Sequence, residues 1–311
     1  MIRELSTGVK SIDDFLEGGV PIGSPSLVFG IQDVGKSIFS LQLAFSCNAI
    51  LHKPVLYIDT ENMWFSKRYP NKGYTLWSKR LKDRFDLKKI EIDFVNKTDI
   101  FKLGKYFGME YQIRTSENRV SVMVKFPRRN PMAGSHTKET LQINDWLERS
   151  TCWKALEEKD YGLLILDSIT RPIKDFIGKS TQNLPGRGSA LDPLLSAMVN
   201  IAVEKNMVVL VTDHCTKSPM DRHPYGIPWG GADIKYYIKN IFAIYMPLKS
   251  MKEKYGKLIE TGLEARIFER HRFPGLVSDM ITIVLKKDYG YIDPPVVDYT
   301  KGGKIEKKKR K

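Results

Sequence analysis

Gly30-Ile31-Gln32-Asp33-Val34-Gly35-Lys36-Ser37 reads G-x-x-x-x-G-K-S, and the residues on either side decide what it is. Pro25 to Phe29, before it, has the composition of a buried strand, and Ile38 to Ala49, after it, repeats apolar residues at helical spacing. A glycine-bounded loop between a strand and a helix is a phosphate cradle. The glycines allow close backbone approach, consecutive amides turn inward, and the helix N-terminus adds partial positive charge. In this pattern Lys36 reaches the β and γ phosphates of ATP and the Ser37 hydroxyl ligates magnesium, while Gly30, Asp33, Val34, Gly35 and Ile38 complete the nucleotide contact.

Working outward, Pro54 to Ile58, Leu163 to Leu166 and Met207 to Thr212 are three more apolar runs that end in polar or Gly-containing punctuation. Helical patterns such as Ala190 to Glu204 lie between them, and this alternation predicts an α/β core with a mostly parallel central sheet covered by helices on both faces. Two regions break the rhythm. Met109 to Thr115 and Arg119 to Phe126 are rich in β-formers around a Ser-Glu-Asn turn, so Tyr106 to Ser135 reads as an inserted β-hairpin. Phe242 to Met246, Leu263 to Glu269, Met280 to Lys286 and Tyr289 to Ile292 read as antiparallel strands that extend the sheet. The expected organisation is one core over 1–297, with the hairpin at about 106–135, and a basic tail over 298–311 that is disordered without a partner.

Composition removes several classes of function. Hydrophobic residues make up 42% and charged residues 28%, ordinary for a globular chain, and no apolar run reaches the length of a bilayer span. The start, MIRELSTGVKSIDD, has no secretory apolar stretch, so no membrane partner and a cytoplasmic location are expected. Cys47, Cys152 and Cys215 are too few and too scattered for a disulfide framework or a zinc site. The net charge of +14 is concentrated: residues 301–311 hold seven basic and one acidic residue, and 105–138 hold seven basic and two acidic. Clustered positive charge of this kind attracts polyanions.

Two carboxylates suit phosphate chemistry. Asp167 ends the apolar run Leu163 to Leu166; alone such an Asp is as often a turn former, but beside a phosphate loop it holds the hydration shell of magnesium. Glu61, in Tyr57-Ile58-Asp59-Thr60-Glu61, stands just past a strand, where ligand crevices of such sheets open, and can serve as general base.

Together these residues resemble the RecA and RadA recombinase family. The resemblance lies in Leu5-Ser6-Thr7-Gly8 with Ile12, Asp13, Gly18 and Gly19, in Tyr57 to Glu61, whose Glu is that family's catalytic base, and in Leu166-Asp167-Ser168, its magnesium strand. It runs from Leu5 to about Met63 and from Tyr161 to Asp293, and implies a RecA-like P-loop core that uses ATP and magnesium at a subunit interface. Gly186-Arg187-Gly188 resembles the family's first DNA-binding loop, and Lys217 to Trp229, followed by Gly230-Gly231, its second. Val211-Thr212-Asp213-His214 stands where the family has Thr-Asn-Gln, which implies that His214 senses the γ-phosphate; a neutral imidazole can donate one hydrogen bond. Glu269-Arg270-His271-Arg272 looks closer to RadB, the small archaeal paralogue, and to KaiC-like ATPases, whose basic pair reaches a neighbouring subunit's phosphates. For Arg270 and Arg272 such a catalytic role in trans and a structural ion pair both stay open.

Lys179, Arg187, Lys217, Arg222, Tyr225 and Trp229 on those loops, with Arg114, Arg119, Lys125, Arg128 and Arg129 on the hairpin, point to single-stranded DNA, through phosphate neutralisation and base stacking. Tyr225 and Trp229 fit packing roles equally well. Because the chain starts at the ATPase core, the expectation is a DNA-dependent ATPase acting as a RadA-type paralogue in recombinational repair. It would act as a homo-oligomer or with a RadA-type recombinase. Two rival readings are a KaiC-like regulatory ATPase that signals to protein partners, which Val20-Pro21-Ile22-Gly23 also fits, and a hexameric ring helicase.

Overall fold

The computed structural model describes residues 3–64, 74–116, 119–126, 144–177, 184–216, 226–247, 263–270, 280–286 and 289–294. Arg128, Arg129, Lys179, Lys217, Arg222, Tyr225, Arg272 and the tail over 298–311 lie outside the described residues.

The first elements are β1 (Glu4–Leu5), α1 (Lys10–Phe15), β2 (Val20–Pro21), β3 (Pro25–Gly30), α2 (Lys36–Ile50) and β4 (Val55–Asp59). Next come α3 (Tyr74–Arg84), β5 (Ile92–Asn96), α4 (Ile100–Tyr106), the hairpin β6 (Glu110–Ser116) and β7 (Arg119–Lys125), α5 (Asn144–Leu147) and α6 (Thr151–Glu158). The rest comprises β8 (Leu163–Asp167), α7 (Arg171–Ile177), α8 (Leu184–Glu204), β9 (Val208–Thr216), β10 (Ile227–Pro228), α9 (Gly231–Tyr237), β11 (Asn240–Tyr245), β12 (Leu263–Arg270), β13 (Met280–Lys286) and β14 (Gly290–Ile292). Among the described residues no helix is long and apolar enough to cross a membrane.

One ten-stranded sheet has the order β14-β13-β12-β11-β3-β9-β8-β4-β5, with β10 beside β9. Strands β11, β3, β9, β8, β4 and β5 run parallel, and β12, β13 and β14 continue the sheet antiparallel. Side chains alternate between faces along each strand. Leu27, Phe29, Leu56, Ile58, Leu164, Leu166, Val209 and Val211 enter one core layer, whereas Val28, Val55, Tyr57, Leu163, Ile165, Val208 and Leu210 enter the other, with α2. Both faces are therefore covered, which is why the strands read as continuous apolar runs.

Two expectations need correction, and one strand was not expected. β11 pairs parallel with β3, so the antiparallel part of the sheet begins only at β12. β5, a parallel edge strand, has no forecast in the sequence reading, because Asp93 and Asn96 interrupt its apolar pattern. Gly186-Arg187-Gly188 is not a loop: it lies in the first turns of α8, where burial of Gly186 and Arg187 outweighs the low helix propensity of the two glycines. The hairpin packs on this same helix, the Tyr111 hydroxyl donating to the Ala190 carbonyl at 2.8 Å.

Candidate active site at the carboxyl edge of the sheet

Register alone gathers the site. Gly30 of β3 lies opposite His214 of β9, and Asp59 of β4 opposite Asp167 of β8, all at the carboxyl ends of neighbouring parallel strands. Such edges are where ligands bind in open α/β sheets. A cleft of about 410 Å³ opens there, and Asp33, Gly35, Lys36, Ser37, Ile38, Glu61, Asp167 and His214 line it. Gly30 and Val34 are buried beneath the loop, and a Cβ at Gly30 would collide with the Ile244 carbonyl of β11.

The loop's shape follows from its residues. Gly35 has φ 106° and Asp33 φ 60°, left-handed values that glycine tolerates and Asp accepts better than most residues. Gly35 is also the N-cap of α2 and offers no side chain, so the first amides of that helix stay available to an anion. Upstream, Asp13 accepts from Ser6 Oγ at 2.5 Å and from the Thr7 amide at 2.7 Å. Those bonds hold the lead-in segment to α1, and Ser46 Oγ of α2 donates to the Ser6 carbonyl at 2.5 Å.

Lys36 is buried, its Nζ donating to the Gly30 carbonyl at 3.0 Å and the Ile31 carbonyl at 2.8 Å. Asp167 accepts from the Tyr57 hydroxyl at 2.6 Å and from the Thr212 hydroxyl. Glu61 accepts from Ser168 Oγ and His214 Nε2, both at 2.8 Å. Burial pulls the Glu61 carboxyl upward, but these two partners and the Lys36 charge outweigh it and hold the group at about 2. Ser168 is fixed in turn, its amide donating to Thr60 Oγ1 and its carbonyl accepting from it, each at 2.7 Å. Asp59 is pushed up to about 6, first by burial and then by the charge of Asp167.

The donor set fits magnesium. Ser37 and Asp167 offer hard oxygens to the cleft, and among the described residues no group of three or more His, Cys, Asp or Glu could hold a metal by itself. Magnesium is commonly bound this way, by one or two protein oxygens, substrate phosphates and retained waters.

Among the described residues, Arg187, Trp229 and Arg270 do not line the cleft. Arg270 Nη1 stands 3.6 Å from Glu17 Oε1 in an ion pair. Trp229 is 6% exposed and Arg187 9%, and the Arg187 guanidinium lies 4.4 Å from the centre of the Trp229 ring. In this arrangement neither face is open to a base or a phosphate. They do connect to the cleft, since the Trp229 amide donates to the His214 carbonyl at 2.8 Å. Ser168, Thr60, Tyr57 and Asp213 stand inside motifs quoted from the sequence but had no role of their own there. The only local signal was polar residues inside or next to apolar strands.

Asp213 is buried and accepts from the Thr170 hydroxyl and from the His214 amide at 2.7 Å. Burial pushes its carboxyl up from 3.8 to about 6, against the pull of those bonds. The folded chain thus holds this proton more tightly than the unfolded chain does. Its contribution to stability is full below about pH 4 and is lost as pH rises through 6. Comparing urea unfolding at pH 4 and pH 7, Asp213→Asn should reduce the difference between the two conditions by up to about 3 kcal/mol; an unchanged difference would locate the proton elsewhere.

The fold, a mostly parallel central sheet flanked by helices, is consistent with a RecA-like P-loop core. Residues 5–69 match the family described as ATPase: KaiC, so over this segment the chain is similar to that family. Over 62 residues the chain is 37% identical to the circadian clock oscillator protein KaiC of Parasynechococcus marenigrum (strain WH8102), a match covering 19% of this chain and 12% of that protein. Over 74 residues it is 36% identical to DNA repair protein RAD51 homolog 2 of Arabidopsis thaliana, covering 22% of this chain and 20% of that protein. These matches span only a small fraction of either relative.

Proposed function

We propose that the protein is a magnesium-dependent ATP hydrolase whose nucleotide state is relayed to a single-stranded DNA site, and that it serves as an accessory paralogue of a RadA-type recombinase. One observation carries the reading: Lys36, Ser37, Glu61, Asp167 and His214 converge on a single cleft beside a helix N-terminus. Lys36 and the amides of α2 hold the phosphates, Ser37 and Asp167 hold magnesium, and Glu61 takes the proton of the attacking water. Magnesium, when bound, neutralises charge that builds on the phosphate oxygens.

Glu61 in its described state is a weak base. A carboxylate held at about 2 by two donors drives proton abstraction poorly near neutral pH. His214 must exchange Glu61 for the γ-phosphate before water is activated, and the same residue is bonded through its carbonyl to Trp229, on which Arg187 rests. DNA that takes hold of residues 217–225 and separates Arg187 from Trp229 would pull on this connection and raise turnover. Arg270 and Arg272 complete the site of an adjoining subunit.

The test is ATP turnover with and without single-stranded DNA across a salt series. Stimulation of about tenfold, equivalent to ~1.4 kcal/mol of barrier, is expected, and it should fade as salt displaces the phosphate contacts. A second reading, an oligomeric KaiC-like regulatory ATPase, is favoured by the match over residues 5–69 and by the closed Arg187 and Trp229 stack. Turnover indifferent to DNA, with no salt-sensitive binding, would select that reading.

A further inference from the structure

Val34 sits in the middle of the phosphate loop and is fully buried, and its carbonyl is gripped from outside by the antiparallel end of the sheet. The Tyr291 hydroxyl donates to it at 3.0 Å and Arg266 Nε at 3.1 Å. Both donors are themselves fixed. Arg266 is 3% exposed, and its other nitrogens donate to the Ala265 carbonyl at 3.0 Å and the Glu264 carboxylate at 2.5 Å. The Tyr291 amide donates to Gln42 Oε1 at 2.7 Å, its carbonyl accepts from Arg84 at 2.6 Å, and its ring meets Phe39 edge-on.

The carbonyl of Val34 and the amide of Gly35 belong to one planar trans peptide unit, so they point in opposite directions. Two donors on the carbonyl therefore turn the Gly35 N–H away from the sheet extension, toward the cleft that Gly35 lines. A Cβ at Gly35 would collide with the Tyr291 hydroxyl, so glycine is needed for this grip as well as for its φ.

We propose that Arg266 and Tyr291 are positioning residues for the triphosphate. They aim the Gly35 amide, and so set nucleotide affinity, without touching the nucleotide. The proposal rests on the reading of the cleft as an ATP site, and it extends that site's control to β12 and β14. Tyr291→Phe deletes one hydroxyl and keeps the ring and the backbone contacts; Arg266→Lys keeps the charge and loses the guanidinium fork.

The measurements are Kd for a fluorescent ATP analogue, steady-state KM and kcat, and nucleotide-free Tm. For Tyr291→Phe, Kd and KM should rise about tenfold, the equivalent of ~1.4 kcal/mol, with kcat within about twofold of wild type. Arg266→Lys should move Kd in the same direction. A lower Tm with unchanged Kd and KM overturns the proposal, as does a loss confined to kcat. If folded wild-type protein binds no ATP, the underlying reading fails and takes this inference with it.

Discussion

Glu61→Gln should lower ATP turnover by about 10²- to 10⁴-fold while leaving nucleotide affinity within about threefold of wild type, if Glu61 acts as proposed. The amide cannot accept a proton from water, but its carbonyl oxygen can still accept from Ser168 and His214, the two partners of the native carboxylate. Size and neighbours are preserved, so the phosphate loop keeps its shape. Single-turnover hydrolysis beside equilibrium ATP binding separates the two quantities. A variant that binds and hydrolyses ATP like wild type would remove Glu61 from the chemistry.

Lys36→Ala should weaken ATP binding by about 10²- to 10⁴-fold, since hydrogen bonds to charged groups are worth roughly 1.5–3 kcal/mol each and the proposed role has this ammonium reach two phosphates. Unfolding should not be the cause of that loss. Burial lowers the pKa of Lys36, with Asp167, Glu61 and Asp213 pulling the other way. A lysine that holds its proton less tightly in the folded chain subtracts stability at neutral pH, a deficit relieved only as pH rises through its folded pKa. Alanine forfeits the bonds to the Gly30 and Ile31 carbonyls but also removes that burden. Isothermal titration with ATP, with nucleotide-free thermal unfolding as control, checks both halves; affinity unchanged from wild type would contradict the assignment of Lys36 to the phosphates.

The parts of the site that could be read from the sequence were those written in short runs. Gly30 to Ser37 carries its own geometry, and Asp167 and Glu61 each follow an apolar strand, where an acidic residue marks the carboxyl edge. Residues that act across the sheet left no such mark. Tyr57 looks like one more apolar strand position until its hydroxyl is seen on Asp167. Arg266, in Leu-Glu-Ala-Arg-Ile-Phe, looks like a solvated charge on an alternating strand, yet it is buried against the phosphate loop. The first turns of α8 misled for the opposite reason. Glycines and a proline argue locally for a loop, while packing of Arg187 on Trp229 and of the hairpin on the helix decides for structure.

Arg266 and Tyr291 lie 232 and 257 residues beyond the carbonyl they hold, and β11, the parallel neighbour of β3, comes after residue 239. A ribosome therefore finishes the glycine-rich turn more than two hundred residues before it delivers the supports of that turn. Domains fold as units, and contacts between distant stretches are the last to be rewarded. A nascent copy that stops short of Arg266 would carry the whole motif and still lack the two donors that hold its central carbonyl.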